Sequence, residues 1–284
     1  MSDLSNDLLA SVYGQARLYA IFLAGLYLVL AVSAVGGVRA QRGAALAWER
    51  GALYAAACLH SVLLAATVWL PHPAGGVLLG LGFAQALSLA ACVGVLLFCW
   101  EERWVNIYAL RPVALVLPVV AVLLAALNPP LPALLSAGSA LHVLFALAAH
   151  GVALLACGHA LLLWSLSRVL KKRAFQTQAW LTRWVGLSPA LVVLERLLIR
   201  LALWVAGLLI VTVGLGAWSG ALRLDHKTVL TLLSLLAWMA VVWGYERRAW
   251  RGTKICLGVG LATGLLLLAY IGSRFVLQAV LHRV

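Results

Sequence analysis

The sequence predicts an all-α, polytopic membrane helix bundle of about eight transmembrane helices, with both termini outside. Two observations predict it. Hydrophobic residues make up 65% of the 284 and charged residues only 10%, whereas soluble domains are roughly half apolar and a quarter charged. Apolar runs long enough to cross a hydrocarbon core of about 30 Å also follow one another along nearly the whole chain, split by short basic or Pro/Gly-rich pieces. Helices are the default because an open-edged strand cannot satisfy its backbone in lipid. Residues 1–284 therefore read as a single integral membrane domain.

The runs fall at roughly 17–36, 52–70, 79–100, 112–128, 139–167, 199–217, 228–245 and 255–281. Asp3 and Asp7 stand ahead of the first run where a signal peptide would be basic, so that run is expected to remain as a span. Pro71-His72-Pro73-Ala74-Gly75-Gly76 breaks the chain after the second span, and Asn128-Pro129-Pro130-Leu131-Pro132 after the fourth. The long connection at about 168–198 carries Trp180, Leu181, Trp184 and Leu187 at helical spacing with Arg183 between them, which predicts an amphipathic helix in the interface. Ser188-Pro189 reads as an N-cap with proline at the first helical position, so the sixth long helix is expected to begin near Pro189. Tryptophans near the span ends (Trp69, Trp100, Trp218, Trp250) fit an aromatic belt.

Charge sets the expected orientation. Of the 21 Lys and Arg residues, only Arg17, Arg223, Lys227, Arg274 and Arg283 fall on one side of the alternating spans; the other sixteen share the opposite side. The positive-inside rule places the sixteen in the cytoplasm. A multi-pass protein of the bacterial inner membrane is the resulting expectation. The net charge of +13 sits in short clusters between apolar runs, not in a stripe that could track phosphates, so a nucleic-acid partner is not expected.

The eight acids (Asp3, Asp7, Glu49, Glu101, Glu102, Glu195, Asp225, Glu246) lie at termini, connections or span ends. Proton- and cation-coupled carriers place carboxylates at mid-membrane, so a coupled transporter is disfavoured. The chain has no nucleotide-binding loop and no metalloprotease helix motif, and it reads as a non-enzyme. The five cysteines, all within spans and none in a Cys-x-x-Cys pair, read as small buried hydrophobes.

Histidine is the remaining chemistry. His60 lies near the middle of the second span and His150 about 16 Å into the fifth, at similar depth, so the two would approach if their helices packed together. His159 is expected near the cytoplasmic boundary. His142, His226 and His282 are expected on the outer face. Paired neutral imidazoles at one depth suit axial coordination of haem iron. His142 and His150 are about 12 Å apart on one helix, so any such pair comes from different helices. Arg223, Lys227, Arg274 and Arg283 are available to neutralise haem propionates. The alternative for each histidine alone is a hydrogen-bonded interhelical contact, and Asp225-His226 can equally cap the seventh span.

Several segments resemble the cytochrome c assembly membrane protein family, which groups CcsA-type haem-handling proteins with HemX-like and YpjD-like inner-membrane proteins. They are Leu141-His142-Val143 through Leu170-Lys171-Lys172-Arg173, Ser188-Pro189-Ala190-Leu191 with Leu194-Glu195-Arg196, and Asp225-His226-Lys227-Thr228-Val229-Leu230. Trp243-Gly244, Trp250-Arg251-Gly252 and Leu268-Ala269-Tyr270-Ile271-Gly272-Ser273-Arg274-Phe275-Val276 are similar too, the last two to the YpjD-like branch. The resemblance covers roughly 139–282.

The resemblance implies haem handling at the outer face. In the haem-exporting branch two outward histidines flank a tryptophan-rich motif and ligate haem; His142 and His282 match those positions, and His60 resembles the membrane histidine of the second helix. Where the exporters carry Trp-Asp-Pro, this chain has Leu222-Arg223-Leu224-Asp225-His226-Lys227, and Tyr245 stands where a second membrane histidine would be. These departures count against a full cytochrome c synthetase. The expectation is an inner-membrane assembly component that holds haem through His142 and His282, with His60 as a membrane ligand and Arg223 and Lys227 on the propionates. Its partners would be the lipid bilayer, haem, and another membrane or periplasmic assembly protein. The alternative is a non-enzymatic regulatory or accessory membrane protein that binds no haem, acting in tetrapyrrole synthesis or divalent-cation homeostasis.

Overall fold

The structure, a computed structural model, describes residues 2–40, 42–70, 77–128, 132–171, 179–220 and 225–272. The helices among them are α1 (Ser2–Arg39), α2 (Ala47–Val68), α3 (Phe83–Glu101), α4 (Arg111–Leu127), α5 (Ala137–Lys171), α6 (Ala179–Leu187), α7 (Leu191–Trp218), α8 (His226–Arg247) and α9 (Thr253–Leu267). A 3₁₀ turn at Tyr108–Leu110 leads into α4, and a π turn at Leu268–Gly272 follows α9. All except α6 contribute to eight stretches long and apolar enough to span a membrane. The chain is thus a multi-pass membrane protein built as a helix bundle.

Helices α1, α2, α3 and α4 pack together, and so do α5, α7, α8 and α9. The two groups meet mainly where α3 lies along α5. That seam is built from small residues. A Cβ placed on Gly151 of α5 would come within 2.5 Å of the Ala90 carbonyl oxygen and 2.7 Å of Val93 Cβ, so only glycine fits there. In lipid, where no hydrophobic force drives helices together, such close backbone approach supplies the packing attraction. Leu18, Phe22, Val62, Leu236 and Leu261 remain exposed on the bundle's outside, as a lipid-facing surface requires.

Three short strands lie at the end opposite the basic one: β1 (Trp69–Leu70), β2 (Val77–Gly80) and β3 (Pro132–Leu135). They form an antiparallel sheet in the order β1-β2-β3, with Leu70 opposite Leu78 and Leu78 opposite Leu134. The proline-rich breaks thus flank paired strands that tie the α2–α3 connection to the α4–α5 connection.

Two expectations on the long basic connection are resolved differently. The amphipathic helix forms as α6, and the sixth long helix begins close to the expected point. However, Ser188 is not its N-cap and Pro189 is not its first helical residue. The cap is Ala190, which contributes no side-chain bond. The Ser188 hydroxyl donates back to the Trp184 carbonyl (2.8 Å) and closes α6 instead. Of the expected last span, 255–281, helix is described only to the π turn; residues 273–281 lie outside the described residues.

Charge is organised at the basic end. Arg103 stacks on Tyr54, Arg168 on Trp164, Arg248 on Trp243 and Arg251 on Tyr245, with guanidinium carbons 3.9–5.4 Å from the ring centroids. Three acids at this end are buried: Glu49 is 1% exposed, Glu101 5% and Glu195 7%. Each has partners. Glu49 accepts from Ser33 and from the Leu46 amide and pairs with Arg42. Glu195 accepts from the Gly252 amide (2.8 Å) and lies 3.6 Å from the Arg251 guanidinium. Gly252 has φ +53°, left-handed backbone that favours glycine. The Leu194-Glu195-Arg196 and Trp250-Arg251-Gly252 segments, distant in sequence, thereby form one latch between α7 and the α8–α9 turn.

Candidate functional site

His142 lies one to two turns into α5, where α5 runs antiparallel to α7. Its Nδ1 is 2.8 Å from the main-chain carbonyl oxygen of Thr212 on α7. A carbonyl only accepts, so Nδ1 carries the proton and donates, and in the neutral ring Nε2 is left with its lone pair. The Thr212 hydroxyl turns back along its own helix and donates to the Leu208 carbonyl (2.8 Å). The imidazole is half-buried, fixed at one nitrogen, and has no hydrogen bond at Nε2 among the described residues. Metal-ligating histidines are characteristically arranged in this way, one N–H spent on a carbonyl and the other nitrogen presented.

Lys227 is half-buried in the first turn of α8, and His226 beside it is exposed. Asp225 caps that helix, its Oδ1 accepting from the Thr228 amide at 3.0 Å. This bond holds the Asp225 carboxyl below the usual aspartate range, assisted by the neighbouring Lys227 and His226. The capping role open to Asp225 from the sequence is therefore the one it fills. His282 and Arg223 lie outside the described residues, as do His72, Arg274 and Arg283.

His60 is fully buried. Its Nδ1 is 3.3 Å from the Tyr27 hydroxyl on α1 and its Nε2 is 2.9 Å from the Ser88 hydroxyl on α3. The three side chains form a hydrogen-bonded chain across α1, α2 and α3. Hydroxyls both donate and accept, so either neutral tautomer satisfies it. Both ring nitrogens are engaged, and a metal at Nε2 would have to displace Ser88.

His150 is held elsewhere. Its Nδ1 faces the Ala146 carbonyl at 2.7 Å and its Nε2 the Leu266 carbonyl on α9 at 3.0 Å, with the Tyr270 ring edge-on. His60 and His150 therefore do not form a pair: one joins α1, α2 and α3, the other joins α5 to the end of α9. The Leu266 carbonyl lies just before the π turn, where the regular helical hydrogen-bond ladder is interrupted. A neutral imidazole has one N–H and satisfies only one of the two carbonyls at a time.

His159 is deeper in protein than its place near the basic boundary suggested. It is fully buried, its Nδ1 faces the Leu155 carbonyl at 3.0 Å, and its Nε2 lies 3.2 Å from Glu101 Oε2 on α3. That contact is off the hydrogen-bonding direction and leaves both atoms without a formal bond. Sequence reading missed this buried acid–imidazole contact, together with Ser88, Tyr27 and the Thr212 carbonyl. Ser88 and Tyr27 are single polar residues in apolar runs, a signal without a partner until the helices are packed, and a main-chain carbonyl gives no sequence signal.

No grouping of three or more His, Cys, Asp or Glu side chains able to hold a metal occurs among the described residues. The five cysteines are free; Cys92, Cys99 and Cys256 are buried, Cys157 is partly buried and Cys58 faces outward. No protein-family profile, curated protein or solved structure matches this chain.

Proposed function

We propose that this multi-pass membrane protein handles haem at its less basic end, as a binding or assembly component of the kind the cytochrome c assembly family contains. One observation carries the reading: the Nδ1–H of His142 is committed to the Thr212 carbonyl, which leaves Nε2, unbonded among the described residues, as the nitrogen that axial coordination would use. His142 would hold the iron, with His282 as the second ligand taken from the sequence. Lys227, half-buried in the first turn of α8, and Arg223 would offset the propionate charges. Bound haem would supply a redox-active iron or a cargo for a partner, and the chain's own contribution is to orient the imidazole and exclude the wrong tautomer. His60 is the weaker ligand, because Ser88 and Tyr27 already occupy both its nitrogens.

The bacterial inner membrane, with the sixteen-cation end in the cytoplasm, is the location this reading adopts from the charge asymmetry. The test is the absorption spectrum of the protein purified in mild detergent, with and without added haemin, for wild type, His142→Ala and His282→Ala. A Soret band that survives washing in wild type and collapses in either variant supports haem ligation. A flat wild-type spectrum, or one indifferent to both substitutions, overturns it.

That outcome would favour a regulatory or accessory role without haem, for which α6 is the relevant observation. This basic-end helix is pinned to the bundle, Arg183 donating to the Arg39 carbonyl and the Trp184 indole N–H to the Ala109 carbonyl.

A further inference from the structure

A cleft of about 290 Å³ lies between α1, α2, α3 and α4 at the less basic end, lined mostly by alanine, leucine and valine side chains. Its polar lining is Arg17, Thr67, Gln85, Ser88 and Asn128. Gln85 is only 3% exposed, and its amide orientation is fixed because Nε2 donates to the Asn128 carbonyl at 2.6 Å. Oε1 is therefore an acceptor, it meets no donor, and it is closed off from solvent, so an occupant's hydroxyl reaches it only with a small shift of the Gln85 side chain. One helical turn deeper, the Ser88 hydroxyl meets His60 and retains hydrogen-bonding capacity of its own. Thr67 donates its hydroxyl proton to the Leu63 carbonyl and retains only acceptor capacity.

The charge of the cleft is one-sided. Among the described residues Arg17 is the single charged residue of the lining, no carboxylate accompanies it, and it makes no ion pair. An exposed guanidinium that lines the cleft and has no carboxylate beside it among the described residues suits an anion, and phosphate matches its planar donor fork. A buried acceptor calls for a hydroxyl donor, since leaving it unmet is costly. The walls are membrane spans, so an occupant arriving from the bilayer can leave its acyl chains in the hydrocarbon. Only its head then has to fit a volume at the lower end of ligand pockets.

We infer that this cleft holds the headgroup of an anionic phospholipid bearing a free hydroxyl, of the phosphoglycerol type. Its phosphate pairs with Arg17 and its hydroxyl donates to Gln85 Oε1. The site is separate from His142 and stands whether or not haem binds.

The experiment is thermal unfolding of delipidated protein in detergent, followed by tryptophan fluorescence, during titration with short-chain phosphatidylglycerol, phosphatidic acid or phosphatidylcholine, or with soluble glycerol phosphate. Wild type is expected to be stabilised by phosphatidylglycerol at a concentration at least fivefold lower than by phosphatidic acid, and least by phosphatidylcholine. Arg17→Gln, at an exposed position, is expected to lose the response to both anionic lipids. Gln85→Leu is expected to respond to phosphatidylglycerol no better than to phosphatidic acid. Because Gln85→Leu also gives up the bond to Asn128, Arg17→Gln is the decisive variant. Equal responses to all three lipids, an unchanged response in Arg17→Gln, or no preference for phosphatidylglycerol over phosphatidic acid in wild type would overturn the assignment. So would glycerol phosphate acting as well as the lipid, which would mean a soluble ligand.

Discussion

Nδ1 of His142 on α5 lies 2.8 Å from the carbonyl oxygen of Thr212 on α7. A side chain on one helix is thus oriented by the main chain of another, and the Thr212 side chain takes no part, because its hydroxyl turns back to Leu208. Thr212→Ala and Thr212→Val should therefore keep any haemin-induced Soret band that wild type shows, while His142→Ala loses it. Loss of the band in all three would mean that the position matters for packing and not for ligation.

The seam between α3 and α5 is expected to be intolerant of a single methyl group. Gly151→Ala places Cβ against Ala90 O and Val93 Cβ, and since backbone cannot give way cheaply the helices must separate. Overpacking of this kind costs about 1–3 kcal/mol. Gly25→Ala, with open space around its Cβ, should stay within about 0.5 kcal/mol of wild type. Unfolding in detergent by denaturant distinguishes the two; equal stability would mean the seam is looser than described.

Arg111 is 1% exposed and grips Glu102 through two bonds of 2.6 Å. Removing one partner strands the other charge in protein, so Arg111→Met should cost about 3–5 kcal/mol. The double variant Arg111→Met with Glu102→Gln should recover much of that loss, because no unpaired charge remains. Arg111→Lys should not substitute, having no planar fork. A double variant no more stable than Arg111→Met alone would show that packing, not charge, sets the cost.

At the start of α8 the sign of the pH effect follows from the cap. The Thr228 amide lowers the folded-state pKa of Asp225, so its charged form contributes stability that is fully present above the usual aspartate value of about 3.9. That contribution is lost as pH falls through the lowered folded value. Asp225→Asn keeps a capping oxygen and should narrow its stability gap to wild type between pH 6 and pH 3. Asp225→Ala should lose about 1 kcal/mol at neutral pH. A gap between wild type and Asp225→Asn that does not change with pH would remove the ionised cap from the account.

The eight spans were legible because hydropathy acts over lengths of some 20 residues and needs no partner. The α6 helix was legible from the helical spacing of Trp180, Leu181, Trp184 and Leu187, a local period that likewise needs no partner. The cap of the long helix that follows it was placed less well. Ser188 offers an N-cap by composition, but the hydroxyl is within reach of the Trp184 carbonyl behind it, and that bond forms instead. The acids were correctly placed at the ends of spans, yet nothing in their position shows that Glu49, Glu101 and Glu195 are buried with cations, amides or imidazoles from elsewhere in the chain.

The sequence by itself determined that this chain crosses a membrane, how many times, and where its positive charge collects, because each of these depends on local composition summed along one segment. It also drew attention to the histidines, since an ionisable ring in an apolar run is costly wherever that run packs. Only the tertiary structure decided what each ring does: His60 is spent on Tyr27 and Ser88, His150 on α9, His159 on the Leu155 carbonyl with Glu101 beside it, and His142 keeps one nitrogen without a partner among the described residues. The reason is physical. Hydrogen bonds reach about 3 Å, and which atoms come within that reach is set by the order in which helices pack, including main-chain carbonyls that have no sequence signature at all.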